Sequence, residues 1–588
     1  MVWAKAAVIA LLGAFYLATA QSLFTFDHDM SLYLGLARAL SRGEGFVFNG
    51  TFNDQVPPGL PVLLAPVAAL TPVSDVRVFQ NVVVVLGVLA LYLTWVWARA
   101  ARRPYPWLTA LLVGLIPGFF SAATGRVYAE VPYLVASLAI LWWAERAVDP
   151  TGRALKPITI AAVALCAVAV PALRTVGIAL PAALVMATLH DSVRRRAGAV
   201  RESDWRFAAC AIAAVSFGFI VVWSRVVAAK TSGAFGGGFA PSYMAHLTLR
   251  NAQVPDSGTI SVPELMLRLP AGILRQGAHV AEMATGISWI KPLWLSPFIL
   301  LVGVVIVVGW WRGLRREQPL AAWYALLFLG IIAIWPYDEA QRFLVPIAPL
   351  LVSFAFEGAR SVFDFVASAA TFRRRGVPLL LGTAALLAVL VVRPWSSTVS
   401  RQELIALAAW PILLASWPLF RFTLERVTAP RLGRILGGAW LAGFALANSY
   451  QIGRIVLARR HATPDSIRLV GTARASDWLA RHAKADAVVM AGEYAAVHLR
   501  TDLRTVPLLL TGQADALGAA LRCTRPDYVV ITDSLPNPYT LPVEPRRLEV
   551  MINSGAGSFE EVARFPAGRI FKFVANGDPC PNPLQARR

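Results

Sequence analysis

Residues 24–61 read FTFDHDMSLYLGLARALSRGEGFVFNGTFNDQVPPGLP. The stretch follows a long apolar run, Val2 to Leu23, and opens with two carboxylates, Asp27 and Asp29, on either side of His28. From Ser31 to Leu40 the apolar positions Tyr33, Leu36, Ala37 and Leu40 recur at helical spacing. The stretch closes on Pro57-Pro58-Gly59. Carboxylates at the mouth of a membrane helix are costly to desolvate and mark functional sites. An amphipathic helix beside them is expected to lie along the bilayer surface. This loop is therefore read as the carrier of the catalytic acid of an integral membrane enzyme.

Composition agrees with the membrane reading. Of 588 residues, 57% are hydrophobic, and the mean hydropathy of +0.58 is beyond what an ordinary soluble domain of this size shows. Apolar runs long enough to cross a bilayer recur along most of the chain, about thirteen of them. They fall near residues 2–23, 77–99, 106–122, 127–144, 157–171, 174–190, 206–228, 292–311, 319–335, 342–358, 377–392, 403–420 and 435–456. The first is read as an anchor, because the apolar run is too long for that of a plain signal peptide. The stretch 56–73 is apolar but rich in proline and is read as re-entrant or interfacial. The net charge of +21 does not point to nucleic acid, since the arginines fall between apolar runs as topology signals do.

Those arginines set an expected orientation. With the N-terminus in the cytoplasm, every inside turn is basic: Arg99, Arg102 and Arg103; Arg146 and Arg153; Arg194 to Arg196; Arg312, Arg315 and Arg316; Arg373 to Arg375; Arg426 and Arg431. The loop at 24–61, the long loop at 229–291 and the C-terminal part then lie outside, with the chain a multi-pass protein of the cell (inner or plasma) membrane. The expected fold is an α-helical polytopic membrane domain over 1–458, followed by a soluble extracytoplasmic α/β domain over 459–588. Within that second part SDWLARHA and TGQADALGAALRC have helical patterns, while DAVVMAG, DYVVIT, FEEVARF and RIFKFVA read as strands. It contains no G-x-G-x-x-G and no Walker motif. Cys523 and Cys580 both lie in it and can pair if it is extracytoplasmic.

The first loop resembles that of the GT-C glycosyltransferases, in particular the branch of protein O-mannosyltransferases and lipid A aminoarabinose transferases. The resemblance rests on an acidic residue just past the first span, the D-x-x-x-Y of Asp29 to Tyr33, the L-x-L-A-R-A-L that follows, the glycines Gly43 and Gly45, and P-P-G-L-P. A second element, Gln341-Arg342-Phe343-Leu344-Val345-Pro346, is similar to that branch's late R-[YF]-L-x-P. Two departures stand out: Met30 follows Asp29 where the family often has Asp-Glu, and the second acid is sought at Glu130, in TGRVYAEVP. The resemblance implies a sugar donor linked to a polyprenyl phosphate, an extracytoplasmic glycan, lipid or protein acceptor, and inverting transfer.

That chemistry needs a general base for the acceptor hydroxyl and cations for the departing lipid phosphate. Asp29 fits the base by position, with Asp27 beside it. Arg342 fits the phosphate, because a guanidinium forks onto phosphate oxygens and stays charged near lipid. Arg174, Arg126 and Lys291 are the alternatives, each at the outer end of a span. Glu130, Tyr33 and His28 are candidates for the acceptor side. No cofactor is certain; Asp27, Asp29 and Glu130 leave a divalent cation, Mg or Mn, open. Each residue also has a purely structural reading: Asp29 as a helix N-cap, Asp27 as a solvated acid, Arg342 as an interfacial anchor. Two other functions compete, a transporter or flippase of lipid-linked sugars and an O-antigen-ligase-like enzyme with a diphosphate-linked donor. A carrier is expected to show internal repeats and mid-membrane charges, and none is evident. A ligase of that kind is expected to carry an arginine pair in a late outside loop, and the long loop here lacks one.

Overall fold

The computed structural model describes residues 2–20, 28–53, 55–147, 157–196, 205–231, 247–248, 250, 258–285, 296–336, 340–368, 429–460, 464–508, 514–532, 551–565 and 568–577. Asp27, Lys291, Cys580 and the runs expected at 377–392 and 403–420 lie outside these residues.

The chain is helical up to residue 482 apart from one short hairpin among the described residues. The first helix, α1 (Val2–Thr19), is followed by α2 (His28–Ser41), the two-residue strands β1 (Val47–Phe48) and β2 (Thr51–Phe52), and α3 (Gly59–Leu70). Then come α4 (Val76–Ala100), α5 (Pro106–Leu115), α6 (Pro117–Thr124), α7 (Glu130–Ala147), α8 (Pro157–Leu173), α9 (Ala179–Arg196) and α10 (Trp205–Thr231). The second half has α11 (Val262–Thr285), α12 (Ser296–Leu314), α13 (Leu320–Ile334), α14 (Ala348–Ser368) and α15 (Ala429–Arg460). Among the described residues four helical stretches are long and apolar enough to cross a membrane: Val76–Ala100, Thr175–Val193, Arg206–Lys230 and Gln341–Val362. The pair α5 and α6 makes a fifth if counted as one span bent by 68°. The bend falls at Pro117, which has no amide hydrogen to donate and whose ring clashes with the preceding turn. The chain is a multi-pass membrane protein.

Close helix crossings use small residues. Gly309 of α12 and Gly358 of α14 lie where an added Cβ would collide with the other helix's backbone, at Phe354 and Val305 respectively. Lipid gives helices no hydrophobic reason to associate, so such close approach, with its dispersion contacts, supplies part of the adhesion.

The region around α2 departs from expectation. Instead of lying on the bilayer with one face open, α2 is enclosed: Met30 to Ala37 are all buried. A helix apolar on nearly every side belongs inside, and α2 is covered by α3 on one side and by the C-terminal domain on the other. At 12 residues α3 is too short to span, and it carries Pro66. It seats on the end of α8 at Gly59, where a Cβ would meet the Ala172 carbonyl at 2.7 Å.

Past residue 464 the chain forms an α/β unit: α16 (Pro464–His482), β3 (Val488–Ala491), α17 (Tyr494–Thr501), β4 (Arg504–Pro507), α18 (Ala514–Thr524), β5 (Tyr528–Thr532), β6 (Gly557–Phe565) and β7 (Gly568–Ala575). The sheet order is β4-β3-β5-β7-β6, with β3 parallel to β4 and β5, and β7 antiparallel to β5 and β6. Strand alternation divides its core. Val489, Ala491, Val530 and Ile570 pack toward Ala475, Leu479 and Ala495, while Met490, Val529, Ile531 and Phe573 pack toward Leu517, Leu521 and Met551. Cys523 is disulfide-bonded, and Cys166 and Cys210 are free.

Candidate active site

Five local features bring charged side chains to one place. Asp29 stands in the first turn of α2, and Glu130 starts α7. Arg174 is an extended residue (φ −149°, ψ 139°) between α8, which Pro171 helps to end, and the 3₁₀ turn Thr175–Ile178. Arg342 lies in a second 3₁₀ turn, Ala340–Ile347, anchored by buried Leu344 and Val345. Arg126 and Tyr128 come from the short link between α6 and α7.

Arg342 is the hub. Its Nη2 donates to Asp29 Oδ2 at 2.7 Å and its Nε to Glu130 Oε1 at 2.6 Å. Its guanidinium stacks on the Tyr128 ring, 3.7 Å from the centroid, a favourable seat for a delocalised cation. Arg174 pairs with the same Glu130 and lies 5.2 Å from the Phe343 ring. Arg126 Nη1 donates to the Tyr128 hydroxyl at 2.7 Å. Arg459, from the end of α15, closes the far side: its Nη1 donates to Thr124 Oγ1 at 2.9 Å and to the Thr19 carbonyl at 3.1 Å. Four guanidiniums and two carboxylates thus gather here among the described residues.

The two acids are not equivalent. The Glu130 side chain is 0% exposed and that of Asp29 39%. Glu130, fully buried, pairs with both Arg174 and Arg342. Asp29 can be reached. Burial opposes its ionised form, but the Arg342 guanidinium, His28 and Arg174 more than offset this, so its carboxyl is held below the usual carboxylate range.

Tyr33 follows Asp29 by one turn on the same helix and is buried. His28 is half-buried, with Nε2 3.2 Å from Gln55 Oε1 and its ring edge-on to Tyr494 at 5.2 Å. Asn49, the first residue of the Asn-Gly-Thr sequon, spends its side-chain amide on the backbone of Thr505, donating to the carbonyl and accepting from the amide at 3.0 Å. No group of three or more His, Cys, Asp or Glu gathers among the described residues. Of the acids named for a cation, Asp29 and Glu130 face guanidiniums, and Asp27 lies outside the described residues.

Four members of the site carried no sequence signal. Tyr128 is one aromatic among many, although its place between Arg126 and Glu130 marks it in retrospect. Arg459 reads as one more charge at a span end. Gln55 and Tyr494 lie 439 residues apart and meet only through the fold.

No family model and no curated protein sequence matches the chain. Solved structures do resemble it. ArnT from Cupriavidus metallidurans bound to undecaprenyl phosphate superposes with a TM-score of 0.50 at 15% identity, over 98% of each chain. The oligosaccharyltransferase AglB from Archaeoglobus fulgidus, in complex with an inhibitory peptide and a dolichol-phosphate, gives 0.47 at 12% identity, over 97% of this chain and 74% of that one. The chain shares its overall fold with that ArnT structure.

Proposed function

We propose that this chain is an integral membrane glycosyltransferase. It transfers a sugar from a polyprenyl-phosphate donor to a glycan, lipid or protein acceptor on the extracytoplasmic side. The observation that carries the proposal is a partly exposed carboxylate, Asp29, bonded to the guanidinium of Arg342, with Arg174 and Arg126 close by at helix ends. Guanidiniums placed among the ends of apolar helices suit a phosphate whose tail lies in lipid. The ArnT structure, which shares the fold, contains undecaprenyl phosphate.

In this reading the donor phosphate competes for Arg342 and draws its Nη2 away from Asp29. Glu130 keeps hold of the same guanidinium through Nε, so the hub does not drift. Asp29 then takes the proton of the acceptor hydroxyl as that oxygen attacks the anomeric carbon. The bond between the anomeric carbon and the phosphate oxygen breaks, and the electron pair leaves with the lipid phosphate. Arg342, Arg174 and Arg126 hold the charge that develops there. One displacement at one carbon inverts its configuration. Asp27 and Lys291 keep their proposed roles as neighbouring acid and additional cation.

The test is transfer by the purified protein from a panel of polyprenyl-phosphate monosaccharides and polyprenyl-diphosphate glycans, with envelope material as acceptor. Turnover of a monophosphate donor supports the reading. Turnover of diphosphate donors alone, or lipid movement across vesicles without transfer, overturns it.

A further inference from the structure

The soluble domain touches the base-bearing helix through a hydrogen-bond chain. His28 Nε2 donates to Gln55 Oε1 at 3.2 Å, and the Tyr494 hydroxyl lies within hydrogen-bond distance of both Gln55 Nε2, at 3.1 Å, and Gln55 Oε1, at 3.2 Å. The Tyr494 ring also packs edge-on against the His28 ring. Gln55 and Tyr494 are both rigidly mounted. Gln55 sits in a turn closed by buried Asn53, whose Oδ1 accepts from the Gln55 and Val56 amides at 3.2 and 3.3 Å, and the rings of Pro57 and Pro58 stiffen the backbone between that turn and α3. Tyr494 is buried at the start of α17, which packs on α16 and on the sheet. Separate links dock the same surfaces further along: Arg38 with Asp502 at 2.7 Å, Phe48 against the His498 ring at 4.8 Å, and Asn49 with Thr505.

We propose that Tyr494 and Gln55 are positioning residues for the transfer reaction, acting through His28 to hold the first turn of α2 and with it Asp29. The inference rests on the transferase reading above. Asp29 has two holds, Arg342 and its own helix turn. The donor phosphate competes for the first, so the second must keep the carboxylate in place at the moment of proton transfer. A small displacement of a reacting group is costly to rate. The soluble domain thereby completes the site, which explains why α2 is covered by it.

The experiment compares wild type, Tyr494→Phe, Gln55→Ala and the double variant in transfer kinetics, with hydrogen exchange of residues 28–36 as a second readout. Each single variant is expected to lower kcat about tenfold, the scale of one lost hydrogen bond, with donor KM within about twofold. The double variant should be no worse than the stronger single, because both break one chain. Exchange of the first α2 turn should accelerate in all three. Asp502→Asn, which loosens the same docking surface away from His28, should keep wild-type kcat. Wild-type kcat and exchange in the single variants overturn the proposal, as does a multiplicative loss in the double, or an equal loss in Asp502→Asn. A wild type inert with every polyprenyl-phosphate sugar defeats the transferase reading instead, and the exchange measurement then decides the positioning claim alone.

Discussion

Two arginine–carboxylate networks occupy opposite ends of the helices, and they differ in one respect that matters. Glu130 begins α7, and Glu145 lies near its end, about 22 Å away along the axis. At the Glu145 end Arg103 Nη1 donates to Glu357 Oε2 at 2.5 Å, and Arg316 pairs with the other oxygen of the same carboxylate. Arg103 lies between the rings of Trp97 and Phe354, 5.6 and 5.5 Å from their centroids. Glu145 stands close enough to act on both arginines. There, two guanidiniums meet two carboxylates, and Arg103 and Glu357 are sealed. At the Asp29 end Arg342 bridges one buried carboxylate, Glu130, and one that is partly open, Asp29. The same residue types form a closed clamp at one end and a partly open cluster at the other.

The comparison breaks first on stability. Removing one partner of a sealed pair strands the others, so Glu357→Gln is expected to cost about 3–5 kcal/mol. It should lower the thermal midpoint in detergent while leaving transfer per folded molecule unchanged. Loss of activity without loss of stability would mean that the clamp end also takes part in function.

Arg342→Gln should show the opposite pattern. Transfer is expected to fall by about 10²–10³, the scale for removing one charge-stabilising donor, with a smaller change in the midpoint. The same variant sharpens the electrostatic claim. In wild type Asp29 is held below its usual range, so kcat/KM should stay level on its account through the pH range in which an ordinary carboxylate takes up its proton. Without Arg342, burial dominates and favours the protonated acid. The acid limb should then move to higher pH, and an unchanged limb would separate Asp29 from the rate. The smallest expected effect is that of a chelator: transfer should be unaltered, because the described acids are already engaged by guanidiniums. Loss of activity restored by Mg or Mn would place Asp27 or another acid at a metal.

Most of this was open to sequence reasoning where charge meets an apolar run. Asp29, Glu130, Arg126, Arg174 and Arg342 each stand out because an ionised group at a span end must be satisfied or used. What joins them is not local. That Arg342 bridges Asp29 and Glu130 depends on two 3₁₀ turns and a proline-ended helix, none with a periodic signature. The spacing of Tyr33, Leu36, Ala37 and Leu40 correctly signals a helix, but it cannot say what covers the other face. The answer is Tyr494 and its neighbours, distant in the chain, which turn an expected surface helix into a buried one. Gln55 and Arg459 escape for a similar reason, since their polarity is ordinary for a loop and a span end.

The most direct measurement is transfer from a polyprenyl-phosphate sugar by wild type and by Asp29→Asn, both shown to be folded and to bind polyprenyl phosphate. Asn keeps the size and removes the basic oxygen. A loss of about 10²–10⁴ in kcat with lipid binding retained is the result expected for a general base. Wild-type turnover by the Asn variant would contradict it and move the proton acceptor away from Asp29.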